Sequence, residues 1–360
     1  MNLLSSISRK IVNDSKRILL TPVETAREAK YTVRGVREGE IPPHEPLKTV
    51  GATLGALLLV LALLFPVYWI FQAALSGSGA SLYSSNGLSL FPDDPTLQPF
   101  VWVVGDIIIP TYRISVGVPL TDLAVVFNTP QITFLDASAH GVENPSGFKH
   151  FLWNSLTVAI PTVLISMSLV VPASYALSRR KFIFRRKILF LYVLLTQVGG
   201  GLGIALLIGL YAIYVQFGFN DSKLALSVYY AATAVPFNTW LLKTYMDGIP
   251  VAYEEAAVVD GAPPWRVVWE VILPLSTAGL ATVFIFTFLT GWTEFVVAQT
   301  LLGTENYTLP VGLYALIGEY SVPWARFSAF ALTFATPIML VYLFAQRYIE
   351  GGLSFGGISG

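Results

Sequence analysis

Residues 249–275 read IPVAYEEAAVVDGAPPWRVVWEVILPL, and this stretch predicts two short helices that meet at a corner. Pro250 suits the first position of a helix, because its missing N–H is one that a helix start leaves unbonded anyway. Gly261 stands where this helix would stop, in a position suited to the left-handed backbone geometry that ends many helices. Pro263 and Pro264 then start a second helix, which leads into a long apolar stretch.

The surface of this loop favours docking of another protein over an ordinary solvated connector. Glu254 and Glu255 lie in the early turns of the first helix, where acids complement the helix dipole. Ala256 and Ala257 leave a flat patch that another body can approach closely. Only Arg266 opposes the five acids of the loop, which are Asp247, Glu254, Glu255, Asp260 and Glu270. Such a surface would fit a basic pocket.

Composition places the chain in a membrane. Of its 360 residues, 54% are hydrophobic and 12% are charged, and the mean hydropathy is +0.64, whereas soluble domains carry about 25% charged residues. A spanning helix needs about 20 mainly apolar residues. Six stretches qualify, namely Val50–Leu75, Phe151–Leu177, Ile188–Gln216, Leu224–Tyr245, Leu273–Leu301 and Ala325–Tyr348. The predicted fold class is therefore an all-α integral membrane protein with six transmembrane helices.

Lysine and arginine set the predicted orientation. The loop after the second span holds six cations and no acid between residues 179 and 187, which predicts a cytoplasmic location. Counting spans from there places both termini and the loop 246–272 inside. Residues 1–48 hold nine cations and six acids, and residues 76–150 hold two cations and six acids, so both agree with this orientation. The loop 246–272 is acidic and does not fit a cytoplasmic location by charge, although the positive-inside rule counts lysine and arginine and gives acids little weight.

The predicted organisation has five parts. They are a cytoplasmic extension at 1–48, a first transmembrane helix at 49–75, an extracytoplasmic segment at 76–150, a five-helix core at 151–350 and a cytoplasmic tail at 351–360. Within the extension, residues 7–31 fit either a basic amphipathic helix on the membrane surface or a partly disordered tail. The apolar run 100–110 is too short to span and predicts a small folded cap or an interfacial piece.

The loop sequence resembles that of a known protein family. The run Glu255-Ala-Ala-Val-Val-Asp-Gly-Ala262, followed by Val271-Ile-Leu-Pro274, is similar to the EAA loop of permease subunits of binding-protein-dependent ABC importers, whose fold is that of the type I importers. Val271 stands where that pattern often has isoleucine. Softer motifs resemble the carbohydrate, maltose-type branch, namely Asn154–Leu156, Tyr175–Arg179, Pro236–Trp240, Trp292–Phe295, Tyr307–Leu313 and the tail Gly352–Gly360.

The resemblance implies a coupling role for the loop. In this family the EAA loop is a helix seated in a cleft of a cytoplasmic ATPase, and its glutamate, here Glu255, pairs with a basic residue there. Glu254 is interpreted as a neighbouring surface charge. The implied ATPase-coupling residues are Glu255, Ala256, Ala257, Asp260, Gly261 and Ala262.

The same resemblance implies partners and a solute. The partners are a cytoplasmic ABC ATPase dimer that uses ATP and Mg, a second permease subunit that completes a heterodimer, an extracytoplasmic solute-binding protein and the lipid membrane. The solute would be a carbohydrate, in particular an oligosaccharide. These expectations describe a multi-pass protein of the cell membrane.

Polar and aromatic residues in the spans are candidates for a solute pathway, because sugar sites often join aromatic faces with hydrogen-bonding side chains. The candidates are Gln197, Tyr230, Asn238, Trp240, Trp292 and Glu294. For each, hydrogen bonding between helices is the alternative. In addition, Trp292 and Phe295 fit residues that mark the outer membrane interface, where an acid such as Glu294 costs little free energy. The glycines at 199–203 fit close helix packing or a flexible break in the pathway.

Several classes of function are disfavoured. A P-loop needs Gly-Lys before Ser or Thr, and no lysine here follows a glycine, so ATP hydrolysis is assigned to a partner and no cofactor is expected in this chain. The chain has no cysteine and three histidines without metal-site spacing. Its basic clusters are short and sit beside spans, which argues against nucleic acid. The alternatives are an ion-gradient-driven secondary transporter, for which inverted repeats would be typical, and, last, a membrane enzyme.

Overall fold

The computed structural model describes residues 42, 44–77, 91–92, 94–105, 107–109, 113–117, 124–128, 132–142, 144–201, 203–318 and 322–356. The chain divides into two compact units, Met1–Trp69 and Ile70–Gly360. The possible amphipathic helix at residues 7–31 and the final residues 357–360 lie outside the described residues.

Helix α1, His44–Ala74, contains the first predicted span. Its side chains from Lys48 to Tyr68 are all exposed, although most of them are apolar. A helix that is apolar on every face needs an apolar solvent or an apolar partner around it. The helix therefore has the surface of a membrane span.

The segment between the first and second predicted spans contains helical and strand elements among its described residues. Helix α2, Gln98–Val104, begins the described part, and the indole nitrogen of Trp102 donates to the carbonyl of Asn144 at 3.0 Å. Four short strands follow, namely β1 Ile107–Ile109, β2 Arg113–Gly117, β3 Ala124–Asn128 and β4 Ile132–Leu135. Strand β1 pairs antiparallel with β4, and β2 pairs antiparallel with β3. The predicted all-α class is thus confirmed, and these four short strands are an addition to it in this segment.

The remaining described helices form the core. In chain order they are α3 Phe148–Arg179, α4 Arg185–Gly201, α5 Gly203–Phe217, α6 Lys223–Asp247, α7 Ala252–Val259, α8 Pro264–Arg266, α9 Leu273–Leu275, α10 Thr277–Thr293, α11 Val296–Leu301, α12 Leu309–Tyr314 and α13 Trp324–Gly356. A π-helical turn, Val267–Ile272, joins α8 to α9. The last helix extends to Gly356, so most of the predicted C-terminal tail continues the final span instead of leaving it.

Helix α3 is the central element of the core. It packs along α6 and α10, and α10 packs in turn against α13. Small residues allow these close approaches, since a Cβ at Gly291 of α10 would lie 3.0 Å from the Cα of Ala159 on α3. Hydroxyls also bond between helices, as Ser174 donates to the carbonyl of Thr239 at 3.1 Å. This combination of small and polar contacts is typical of helices that pack within a membrane.

Two predicted spans are broken where the sequence suggested one helix. The third predicted span, Ile188–Gln216, is divided between α4 and α5, and Gly203 at the start of α5 has φ +37°. The fifth, Leu273–Leu301, bends by 81° between residues 264–275 and 277–293 and is interrupted again at Glu294, whose backbone is extended. Each of these breaks leaves backbone N–H and C=O groups without helical partners, so neighbouring residues must bond to them. Membrane proteins permit this only inside a helix bundle.

Length and composition support fewer continuous spans than predicted. Three described helical stretches are long and apolar enough to cross a membrane, namely Lys48–Ala74, Phe148–Arg179 and Trp324–Ile349, and a fourth is added when the bent pair counts as one. Helix α6 has 25 residues, but its buried polar positions lower its hydropathy. The total of six spans therefore stays a prediction.

Candidate functional site

The loop between α6 and α10 forms the predicted corner. Helix α7 ends at Val259, and the backbone N–H groups of Gly261 and Ala262 bond back to the carbonyls of Val258 and Ala257 at 3.0 and 2.9 Å. Gly261 has φ +82°, which confirms the predicted left-handed position. A second helix then begins at Pro264. The two-helix geometry expected from the sequence is therefore present.

The start of α7 differs from the expectation. Pro250 was predicted at the first helical position, but the helix begins at Ala252 with Val251 as its N-cap. The carbonyls of Pro250 and Val251 accept from the N–H groups of Tyr253 and Glu254, at 3.3 and 2.9 Å. Pro250 thus lies in the turn that enters the helix.

Four of the six predicted coupling residues are exposed. Glu255, Ala256, Asp260 and Gly261 are exposed, while Ala257 and Ala262 are half-buried. The surface is less flat and less polar than the alanines suggested, because Val258 is 61% exposed and Val259 is 86% exposed. Apolar side chains that face solvent in a contiguous patch mark a contact surface.

The segment after the corner carries two further exposed apolar side chains, which the sequence did not single out. Trp265 and Trp269 are both exposed, by 64% and 67%, and they lie four residues apart, so they share a helix face. Beside them, Arg266 and Glu270 form an exposed ion pair of 2.8 Å. We call Val258, Val259, Trp265 and Trp269 the apolar ridge. Its signal in the sequence was the tryptophan pair within a charged loop.

Glu254 lies on a different face of α7 from Glu255, toward the core. Its carboxylate pairs with the Arg179 guanidinium at 2.5 Å, and the two side chains are only 13% and 10% exposed. The hydroxyl of Tyr175 donates to the same carboxylate at 3.3 Å. The interpretation of Glu254 as a surface charge is therefore wrong, since this acid joins the loop to the end of α3.

The C-terminal ends of α3 and α6 are joined by a hydrogen bond next to the loop. Ser178 donates to the Asp247 carboxylate at 2.7 Å, and the same carboxylate pairs with Lys243. Arg179 additionally donates to the carbonyl of Ile249 at 2.8 Å. These bonds fix the point at which the chain leaves α6 and enters the loop.

Two pathway candidates come together at the break after α10. Tyr230 is buried, and its hydroxyl donates to the carboxylate of Glu294. The same carboxylate accepts from the backbone N–H groups of Val297 and Ala298 at 3.0 and 3.2 Å. Glu294 therefore caps the start of α11, a structural task that side-chain acceptors perform at helix starts.

The other candidates do not join this pair. Trp292 is fully buried, stacks on Phe288 and Phe334, and donates to the Phe334 carbonyl at 3.3 Å, so it anchors α10 to α13. Asn238 is buried and donates to the carbonyl of Ala234 at 2.9 Å. Trp240 is 45% exposed on α6. For Gln197 the backbone lies in α4, and its side chain is outside the described ones.

Hydrogen bonds around Asn154 show the structural role of the motif Asn154–Leu156. The Asn154 amide donates to the carbonyls of Glu305 and Tyr307 at 3.0 and 3.1 Å, and its oxygen accepts from Lys223 at 2.9 Å. The Ser155 hydroxyl accepts from the N–H of Leu309 at 2.8 Å. These bonds hold the connection between α11 and α12 against α3, so this motif supports the fold. Across the described residues there is no group of three or more potential metal-ligating side chains.

Comparisons with known proteins agree with this architecture. The profile of the family described as "Binding-protein-dependent transport system inner membrane component" matches residues 151–354. The inner membrane ABC transporter permease protein YcjP of Escherichia coli is 28% identical over 315 residues, which are 87% of this chain and 98% of that protein. The maltose/maltodextrin transport system permease protein MalG of Vibrio parahaemolyticus is 31% identical, with 76% of this chain and 84% of that protein aligned.

A solved structure supports the fold independently. A bacterial ABC transporter involved in the import of the acidic polysaccharide alginate superposes with a TM-score of 0.62 at 19% identity, covering 86% of this chain and 98% of the other. The family match spans more than half of the chain and includes α3, α6, α10 and the loop that carries Glu255. The chain therefore belongs to the family of inner-membrane permease components of binding-protein-dependent ABC transport systems.

Proposed function

We propose that this chain is the permease subunit of an ATP-driven importer and that its solute is a carbohydrate, in particular an oligosaccharide. The relative MalG is named for maltose and maltodextrin transport, which supports this class of solute. The corner formed by α7 and α8 is the observation that carries the coupling role. Family membership supports a cytoplasmic ATPase dimer and an extracytoplasmic solute-binding protein as partners.

The ATPase engages the outward surface of α7. Glu255 and Asp260 provide negative charge there, and the apolar ridge provides area that is removed from water on binding. Burial of such area drives association, while the charges set register and partner choice. ATP is hydrolysed with Mg in the partner, and this chain converts closure of the ATPase dimer into movement of its helices.

The membrane arrangement follows from the charges. The basic run 179–187 and the loop 246–272 lie on the cytoplasmic side, and the folded segment that contains α2 lies outside. The chain crosses the membrane six times, with both termini inside, and pairs with a second, different permease. Broken helices near the middle of a bundle are typical of solute pathways, so the α4–α5 break and the Glu294 break border the path.

Of the five pathway candidates whose side chains the structure describes, two retain accessible surface. Glu294 is partly exposed, and Trp240 exposes 45% of its surface. Trp292 and Asn238 lie in the interior and shape the pathway only through packing. We therefore place direct solute contact on Glu294 and Trp240 and a supporting role on Tyr230, which holds the Glu294 carboxylate.

Purification of the chain from its own membranes in a mild detergent tests this function. Co-purifying polypeptides are identified by mass spectrometry. We expect a P-loop ATPase and a second permease that carries an EAA-type loop. If the chain is isolated alone and stable, and crosslinking before solubilisation recovers no ATPase, the proposal fails and gradient-driven transport takes its place.

A further inference from the structure

We propose that the ion pair between Arg179 and Glu254 is the link through which a displacement of α7 is transmitted to α3. The inference rests on the proposed function, because it assumes that an ATPase moves α7. Arg179 and Glu254 are thus positioning residues: they touch neither ATP nor solute and act by fixing the loop to the core.

The two neighbouring glutamates divide two tasks between different faces of α7. Successive residues of an α-helix point about 100° apart, and here Glu255 is exposed while the Glu254 side chain is 13% exposed. The helix thus presents one acid to a partner and the other to the core. A force that a partner applies to the Glu255 side of α7 is therefore transmitted to the core through the contacts that the Glu254 side makes.

Helix α7 has little else to hold it. None of its eight residues is fully buried, so no apolar side chain locks it into the core. It contacts the π-helical turn Val267–Ile272, but that turn belongs to the same loop. Among the described residues, Glu254 makes every polar side-chain contact between α7 and another helix. Its partners are Arg179 and Tyr175.

Arg179 is held firmly on the other side. Its guanidinium pairs with Glu254 and also donates to the carbonyl of Ile249 at 2.8 Å. It lies in the last turn of α3, where a cation complements the negative end of the helix dipole. The other charged groups near this point include Arg180, which acts electrostatically on Tyr175, and the Asp247–Lys243 pair, joined to α3 by Ser178. Arg185 donates to the Ser178 carbonyl at 3.3 Å.

The helix that receives the force reaches far into the core. Helix α3 has 32 residues, which corresponds to a length of about 48 Å, and it packs against α6 and α10. A guanidinium–carboxylate pair out of water resists sliding, because separating its partners leaves two charges desolvated. Displacement of α7 therefore moves α3 as one body with it.

The test measures whether α7 and α3 move together in the complete complex. The chain has no cysteine, so Val251→Cys beside α7 and Leu164→Cys on α3 can carry two spin labels. Both side chains are exposed, by 52% and 64%. The label-to-label distance is measured by pulsed electron paramagnetic resonance in the purified complex with its ATPase, without nucleotide and with MgATP trapped.

We expect one narrow distance distribution in both states, and a broadened distribution that shifts with MgATP when Arg179→Met is introduced. Arg266→Met is the matched control, since it breaks an exposed pair in the same loop, and should leave the distribution narrow. Arg179→Lys, which keeps the charge, should broaden it less. The double exchange Arg179→Glu with Glu254→Arg should narrow it again.

A narrow, nucleotide-independent distribution in Arg179→Met would overturn the inference. The same result would leave the proposed function intact as long as the ATPase still co-purifies. Loss of the ATPase from the parent complex would instead refute the proposed function, so the two failures are distinguishable. If Arg179→Met does not fold, Arg179→Lys and the double exchange decide the question.

Discussion

Gly261 offers the sharpest quantitative test of the coupling corner. Its φ of +82° is left-handed, and a Cβ added there would meet nothing within 4 Å. The cost of Gly261→Ala is therefore pure backbone strain, because no neighbour must move. For a residue with a side chain this strain is about 1–2 kcal/mol, and that free energy reduces the equilibrium constant for forming the native corner about 5–30-fold.

This change lowers the apparent affinity of the loop for the proposed ATPase by up to the same factor, since binding must first restore the corner. Gly261→Asn should lose less, because asparagine adopts left-handed geometry more readily than alanine. Gly248→Ala is the matched control in the same loop: its φ is −74°, and the added Cβ would make an ordinary contact of 3.4 Å.

The assay titrates the purified ATPase against the permease in proteoliposomes and measures the bound fraction and the stimulated ATP hydrolysis. The expected order of affinity is parent and Gly248→Ala together, then Gly261→Asn, then Gly261→Ala. Equal affinities for Gly261→Ala and the parent would refute the reasoning, and so would a loss in Gly248→Ala as large as that in Gly261→Ala.

Three further predictions concern the core and the pathway. Trp292→Ala should destabilise the protein by about 3–5 kcal/mol, measured as thermal unfolding in detergent, because the side chain is fully buried, whereas Trp240→Ala at 45% exposure should cost much less. Gly291→Ala should cost about 1–3 kcal/mol in the same assay, since the new Cβ would lie 3.0 Å from the facing α3 backbone; Gly209→Ala in α5, where nothing lies within 4 Å, should be neutral or stabilising. Tyr230→Phe removes one donor from the carboxylate that caps α11 and should cost about 1–3 kcal/mol; an unchanged unfolding temperature would show that this bond is not held in the protein.

The helical core and the corner could be predicted because local chemistry determines them. The apolar stretches that became α1, α3 and α13 have the length and composition of spans, and each lies within one continuous helix. Gly261 was predictable for the same reason, since a left-handed helix end has a residue preference of its own. In these places neighbouring residues decide the structure.

Other features depend on contacts between distant parts of the chain. Glu254 and Glu255 are identical in type and adjacent, and only packing against Arg179 decides which of them faces inward. The bend after Leu275 coincides with Pro274, Ser276 and Thr277, a local signal that the high mean hydropathy of the whole stretch concealed. The break before Gly203 did have a signal, because the glycines at 199–203 allowed a break as well as close packing.

The strands of the segment 107–135 were missed because the sequence analysis gave most weight to apolar runs of membrane-spanning length. Ile107, Ile108 and Ile109 were included in a short apolar run, yet β-branched residues favour extended structure. The pathway candidates show that the polarity of a residue within a span does not reveal its tertiary surroundings. Polarity within a span identified Tyr230 and Glu294, but it could not separate them from Trp292, whose surroundings are a packed core.

Site-specific photocrosslinking from α7 tests the central claim most directly. A photoreactive amino acid replaces Glu255 in one variant and Glu254 in a matched variant, and both are irradiated in native membranes before mass spectrometry. Position 255 should crosslink to a cytoplasmic P-loop ATPase, and position 254 should crosslink within the chain to the end of α3. The absence of any ATPase crosslink from position 255, or equally strong ATPase crosslinks from both positions, would contradict the assignment of α7 as a two-sided coupling helix.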